Sequence, residues 1–432
     1  MTGFACRETR HRSFSPGPGA RGQSHGSDPS YGVRVSETAS IDLFWGATMS
    51  SLQAEGVAPA ADWSRWERDK RVPRSGDGNG LATNHHDDFG ILASIGLTHV
   101  RLTIEWARLE PEPGRLDQDA FDRYLDLLTS AQNAGLRVIA TLLHTTSPGW
   151  FADDTLGFRD ERRRELEWAR HVDRCAERFD HLVDTWVPID DPVGWALRGF
   201  GLGSRPPGRR DPEALAEAVE GALLANHVAW DLLRSGSTPV MAVFGMPTIF
   251  RHGPEAETEQ RRWHDLVFGT WISLIRDGEL LVPGLTPRER PELAGAFDLV
   301  GITHDHPIAI DRTGRVHAYP ESDRRSDTGF TPIVNELGEL LSYLASELPD
   351  RDLVVAGHGV ATTDDDWRQQ ILQDTHELLI DAAAHDVPVR GYLHDTGIDG
   401  YEGPYGFATQ RGIVGRDREL KESGLWLQSR LT

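Results

Sequence analysis

Two adjacent carboxylates, Asp190 and Asp191, end the apolar stretch of Trp186, Val187 and Ile189 and run directly into Pro192. Such a pair is raw material for general acid/base chemistry, in which one group gives a proton and another takes one. Polar residues follow other apolar runs in the same way. Gln53 and Glu55 follow the first run, Arg101 lies in the second ahead of Glu105 and Trp106, and His144 ends the third. Farther on stand His304, Asp305 and His306, then His358, then His394 and Asp395. Imidazoles and carboxylates are the groups that move protons near neutral pH. His304 and His306 share one side of an extended strand, and with His358 and His394 they have the residue types of a metal centre. No tight ligand motif accompanies them, and the sequence carries the expectation of neither metal nor organic cofactor. The run "NHHDD" (84–88) reads as the capped, solvated start of a helix.

The elements that must position these groups are legible as apolar runs. Eight candidate strands fall at 43–49, 98–104, 136–144, 185–189, 239–245, 296–303, 352–358 and 388–394. Continuous rather than alternating apolarity suits parallel strands covered on both faces. Helical patterns lie between them, most clearly at 117–135, 213–236 and 367–386, with Asp117 placed as a cap and Gly135 as a stop. The run 159–170 reads as a solvated helix face with i,i+4 ion pairs. Eight strand-then-helix units predict an α/β fold, a single (β/α)₈ TIM barrel over residues 39–432, whose site lies at the C-terminal ends of the strands. That is where the polar residues above would gather.

Composition narrows the function classes. A formal net charge of −22 over 432 residues, with no Lys/Arg-rich block, argues against a nucleic-acid partner. No apolar run approaches membrane-spanning length, so no membrane partner is expected. Two cysteines, Cys6 and Cys175, give no disulfide framework and suit a cytoplasmic location. Residues 1–38, rich in Arg, Gly, Ser and Pro and without a signal-type apolar core, read as a disordered tail.

Several segments, in chain order, resemble the retaining β-glycosidases of glycoside hydrolase family 1. "LFWGATMSSLQAEG" resembles that family's first strand with its Gln-x-Glu-Gly ending, and "DDFGILASIGLTHVRLTIEWARLEPEPG" its second unit. "GFGLGSRPPG", "FDLVGIT" and "VPVRGYLHDTGIDGYEGPYGFATQRGIV" are similar to its later loops and strands. The resemblance implies the barrel and a glycoside substrate. It also implies that Gln53, His144 and Glu402 keep sugar-contacting positions, and that Arg101 lies beneath the reacting centre. The departures fall on the chemistry. Asp190-Asp191-Pro192 stands where the family has Asn-Glu-Pro with its acid/base Glu. Gly357 and His358 stand where it has the nucleophilic Glu and the Asn that follows. His304 and Asp305 replace tyrosines, and Thr145, Asp395 and Gly403 replace tryptophans.

Retaining hydrolysis requires two carboxyl groups about 5–5.5 Å apart, and the second is missing. With Gly357 at the nucleophile position, Arg101 needs another counter-ion. Asp190 is the available one, which leaves Asp191 as the reacting carboxylate. Catalytic roles are therefore expected for Asp190, Asp191, His358 and Asp305, and binding roles for Gln53, Arg101, His144, His304, Asp395 and Glu402. The expected activity is acid/base chemistry on a glycoside-like small molecule. It would proceed by hydrolysis along a non-standard route or by elimination, isomerisation or cyclisation. The alternative is a relative that binds such a ligand without turning it over.

Overall fold

The computed structural model describes residues 43–152, 156–321 and 324–432. The stretch read as a tail, 1–38, lies outside the described residues. Eight strands build the central sheet: β1 (Phe44–Met49), β2 (His99–Thr103), β3 (Arg137–Leu143), β4 (Thr185–Ile189), β5 (Met241–Gly245), β6 (Leu299–Thr303), β7 (Asp352–His358) and β8 (Val389–His394). Neighbours pair in parallel in the order β4-β3-β2-β1-β8-β7-β6-β5. Bridges from Trp186 to Val240 and from Asp190 to Val243 join β4 to β5 and close the ring. The result is a (β/α)₈ barrel, and each expected strand falls on an observed one.

Both faces of the strands are buried, which explains their continuous apolarity. Ile139, Val187, Met241, Val243, Val354, Ala356 and Leu393 fill the barrel interior. A larger apolar layer packs the outer face against the helices. The expected helices are Gln118–Asn133, Pro212–Leu233 and Asp365–Ala384. Asp117, Asp211 and Asp364 cap them by accepting first-turn N–H groups.

Three features differ from the sequence reading. The 84–88 run lies inside the helix Leu81–Ser94 rather than opening it. It is not simply solvated either, because Arg418 from the C-terminal loop holds buried Asp88 at 2.9 and 3.1 Å. The 159–170 segment has its Arg163–Glu167 pair at 2.8 Å, but its fully buried Trp168 donates to the Ala225 carbonyl, anchoring one face in the core. A small sheet of Ile249–Arg251, Ile308–Ile310 and Val316–Ala318 rises beyond β5 and β6. Its three-residue strands leave no period to read.

Candidate active site

The end of β4 is wedged between its neighbours: the Asp190 N–H donates to the Leu143 carbonyl of β3, and the Asp191 N–H to the Val243 carbonyl of β5. Asp190 Oδ2 accepts from Arg101 Nη2 and from His144 Nε2, each at 2.8 Å. Burial works to raise this carboxyl, and Arg101 with His144 outweighs it, holding Asp190 well below the usual carboxylate range. The expected Arg101–Asp190 pair is thus present, with both side chains 6 % exposed.

Asp191 adopts φ 49°, ψ 66°, a left-handed conformation that Asp tolerates better than most residues. It caps the short helix Pro192–Ala196. Oδ1 accepts from the Gly194 N–H at 2.9 Å and Oδ2 from Arg198 Nη2 at 3.0 Å. Gly245 makes room for it, since a Cβ there would lie 2.6 Å from Asp191 Oδ2. The residue expected to react therefore has each oxygen engaged by its own loop.

Across the mouth, one guanidinium gathers three acids. Arg411 donates to Asp305 through both terminal nitrogens at 3.2 Å and to Asp395 Oδ2 at 3.3 Å, while its Nε lies 3.3 Å from Glu402 Oε2. Thr48 Oγ1 donates to Asp395 Oδ1 at 2.6 Å, and Gln53 Nε2 to Glu402 Oε1 at 3.0 Å. Burial pushes the Glu402 carboxyl up to about 8 against the pull of Arg411, and Asp395 adds to the rise. Burial also works to raise Asp305, but Arg411 and His306 outweigh it and hold that carboxyl low. Asp305 is the more open of the two, at 37 % against 9 % for Glu402.

The strand-end histidines separate into different roles. His304 Nδ1 faces the Met246 carbonyl at 2.8 Å, and His358 Nδ1 faces the His304 carbonyl. A carbonyl only accepts, so each Nδ1 carries the hydrogen and each Nε2 keeps a bare lone pair. Both Nε2 atoms are buried without a hydrogen-bond partner among the described residues. The rings stack 5.9 Å apart, and burial with the facing His358 pushes His304 down to about 4. His394 instead faces the Arg411 carbonyl through Nε2 at 3.0 Å and so braces the Arg411 loop. His306 stacks on Phe330. They do not converge on one centre. The three-ligand grouping found among the described residues is His85, His86 and Asp126, on the outer helices.

Gln53, Asp305, Asp395 and Glu402 are thus brought together around Arg411, and Arg101, His144 and Asp190 around the end of β4. Three arginines near these groups, Arg198 on Asp191, Arg205 beside Thr145 and Arg411 on the three acids, escape sequence reading. A lone Arg among the glycines and apolar residues of "GFATQRGIV" is the only sequence trace of Arg411. A cavity of about 320 Å³ opens among the loops after β1, β3 and β4, lined by Asp62, Trp66, Ser147, Trp195 and Phe200 among others. None of the Arg411-bound acids lines it.

Comparison with known proteins agrees with this architecture. Residues 35–261 match the family model for glycosyl hydrolase family 1. The chain is 22 % identical to Beta-glucosidase 17 of Arabidopsis thaliana over 92 % of this chain and 93 % of that one. It is 25 % identical to the cyanidin 3-O-glucoside 7-O-glucosyltransferase (acyl-glucose) of Delphinium grandiflorum, over 92 % and 90 % respectively. Its fold superposes on the β-glycosidase from Pyrococcus horikoshii with a TM-score of 0.84 at 23 % identity, covering 91 % of this chain and 94 % of that one. With the matched residues spanning more than half of its length and the barrel closed as described, the chain belongs to glycosyl hydrolase family 1.

Proposed function

We propose that the protein transforms a glycoside-like small molecule by general acid/base catalysis, without a covalent glycosyl intermediate. The observation that carries this reading is the Arg411 cluster, in which one guanidinium meets three acids while burial pushes the Glu402 carboxyl up to about 8 and Arg411 holds Asp305 low. A family 1 barrel that has Gly357 at the nucleophile position and a capping Asp191 at the acid/base position has lost the two-carboxylate route. The Arg411 cluster offers a proton donor and a proton acceptor in its place.

In a hydrolytic cycle Glu402 protonates the leaving oxygen as its bond to the anomeric carbon breaks. Asp305, the more open carboxylate, takes the proton of the attacking water. The cycle closes when Glu402 regains a proton and Asp305 loses one to solvent. Gln53, which donates to Glu402, and His144, oriented by Asp190, supply hydroxyl contacts. The names of the relatives, a β-glucosidase and a glucosyltransferase, support a glucoside-like ligand.

Release of 4-nitrophenol from α- and β-aryl glycosides tests this, with product stereochemistry followed by proton NMR. Turnover that disappears in Glu402→Gln and yields inverted product supports the reading. Retained configuration, or full activity in Glu402→Gln, overturns it. A ligand-binding barrel without turnover is the second reading, favoured by the pairing of both oxygens in Asp191, Asp305 and Glu402 alike; it predicts saturable glycoside binding and no product.

A further inference from the structure

Among the described residues, three of the guanidinium groups at the strand ends are matched. Arg101 meets Asp190, Arg198 meets Asp191, and Arg411 meets Asp305, Asp395 and Glu402. Arg205 is different. The one hydrogen bond of its side chain among the described residues is a long contact of 3.5 Å from Nη1 to Thr145 Oγ1, and no carboxylate of those residues lies within ion-pair distance. Thr145 follows β3 and Arg205 follows β4, so the group projects between these two strand ends.

Its backbone is firmly set. The N–H groups of Ser204 and Arg205 both donate to the Arg198 carbonyl, at 2.9 and 3.2 Å, and Pro206 and Pro207 follow immediately. The side chain is part-buried. Burial and the neighbouring Arg198 pull it down to about 9, while Asp191, Asp190 and Glu402 act from beyond pairing distance. A guanidinium carries five donors in a planar fork. Desolvating it beside another cation without a counter-ion costs free energy that an arriving anion would recover.

We propose that Arg205 is an anion-recognition residue, and that the glycoside-like ligand carries a carboxylate, phosphate or sulfate on its side facing β3 and β4. Such anions accept two parallel N–H bonds from one guanidinium, which fixes orientation as well as charge. The proposal rests on reading the mouth as a ligand site, and it adds the class of ligand.

The test is calorimetric binding at pH 7 to matched probes. 4-Nitrophenyl β-D-glucoside is compared with 4-nitrophenyl β-D-glucuronide, phenyl β-D-glucoside with 2-carboxyphenyl β-D-glucoside, and glucose with glucose 6-phosphate and glucose 6-sulfate. The wild type is expected to prefer at least one anionic member about tenfold or more. Which member is preferred identifies the anion and its position. In Arg205→Gln that ratio falls toward one, and Arg205→Lys restores part of it. Arg205→Leu, checked by thermal melting, guards against misfolding of one variant. A wild type without anion preference, or a preference intact in Arg205→Gln, overturns the proposal. If neutral glycosides still bind in that case, the reading of the mouth survives; if no glycoside of either kind binds, both fall.

Discussion

Arg411 Nε lies 3.3 Å from Glu402 Oε2, yet burial and Asp395 push the Glu402 carboxyl up to about 8 against the pull of the guanidinium. A donor of this kind works only while protonated, so turnover should hold through neutrality and fall as pH rises through about 8. Glu402→Gln should lower the rate by about 100-fold or more. The same proton shapes stability. The folded carboxyl binds its proton more tightly than the unfolded one, so stability should decline as pH rises from about 4.5 to about 8. Denaturant melts across that range should show a flatter profile for Glu402→Gln.

Asp190 is shifted in the other direction, with its folded carboxyl below the unfolded value. Its contribution is therefore present above the unfolded pKa and is lost as pH falls through the low folded one. Asp190→Ala strands buried Arg101 and should cost about 3–5 kcal/mol at pH 7. Replacing both Arg101 and Asp190 with apolar residues should cost less than Asp190→Ala alone, measurable by urea denaturation of all three variants.

Asp191 should behave as a cap. Asp191→Asn keeps an oxygen for the Gly194 N–H, and its turnover should stay within about tenfold of wild type, well above that of Glu402→Gln. Asp191→Ala should lose about 1 kcal/mol from the cap alone. Rates for the two series on one substrate check the order, and a larger loss in Asp191→Asn would return the donor role to β4.

Arg411→Met should leave Asp305, Asp395 and Glu402 facing one another without a counter-charge. Their proton affinities then rise in the folded state, so the variant should be strongly destabilised at neutral pH and regain stability on acidification. A melting temperature that tracks wild type at every pH would show that the cluster does not depend on this arginine.

How far the sequence discloses this molecule follows from which contacts are local. β1 to β8 are buried on both faces, and that burial writes itself into each strand as an apolar run. The strand-end acids and histidines are visible for the same reason: polarity begins where the barrel ends. Pairing is not local. Arg411 meets Asp305 across 106 positions, and Gln53 meets Glu402 across 349. Whether Asp191 reacts or caps depends on a left-handed backbone turn and on Arg198 seven positions later. Residue types alone could not decide it. Asp88 looked solvated because its partner, Arg418, arrives from the far end of the chain.

The acid/base reading of the mouth depends on the proton of Glu402. The direct measurement is a carboxyl ¹³C NMR titration of glutamate-labelled protein, with the resonance assigned by its loss in Glu402→Gln. A midpoint near pH 8 is the predicted result. A midpoint in the ordinary range, about 4 to 5, would mean that Glu402 is an ion-paired carboxylate at neutrality, and it would contradict the acid/base account of this barrel.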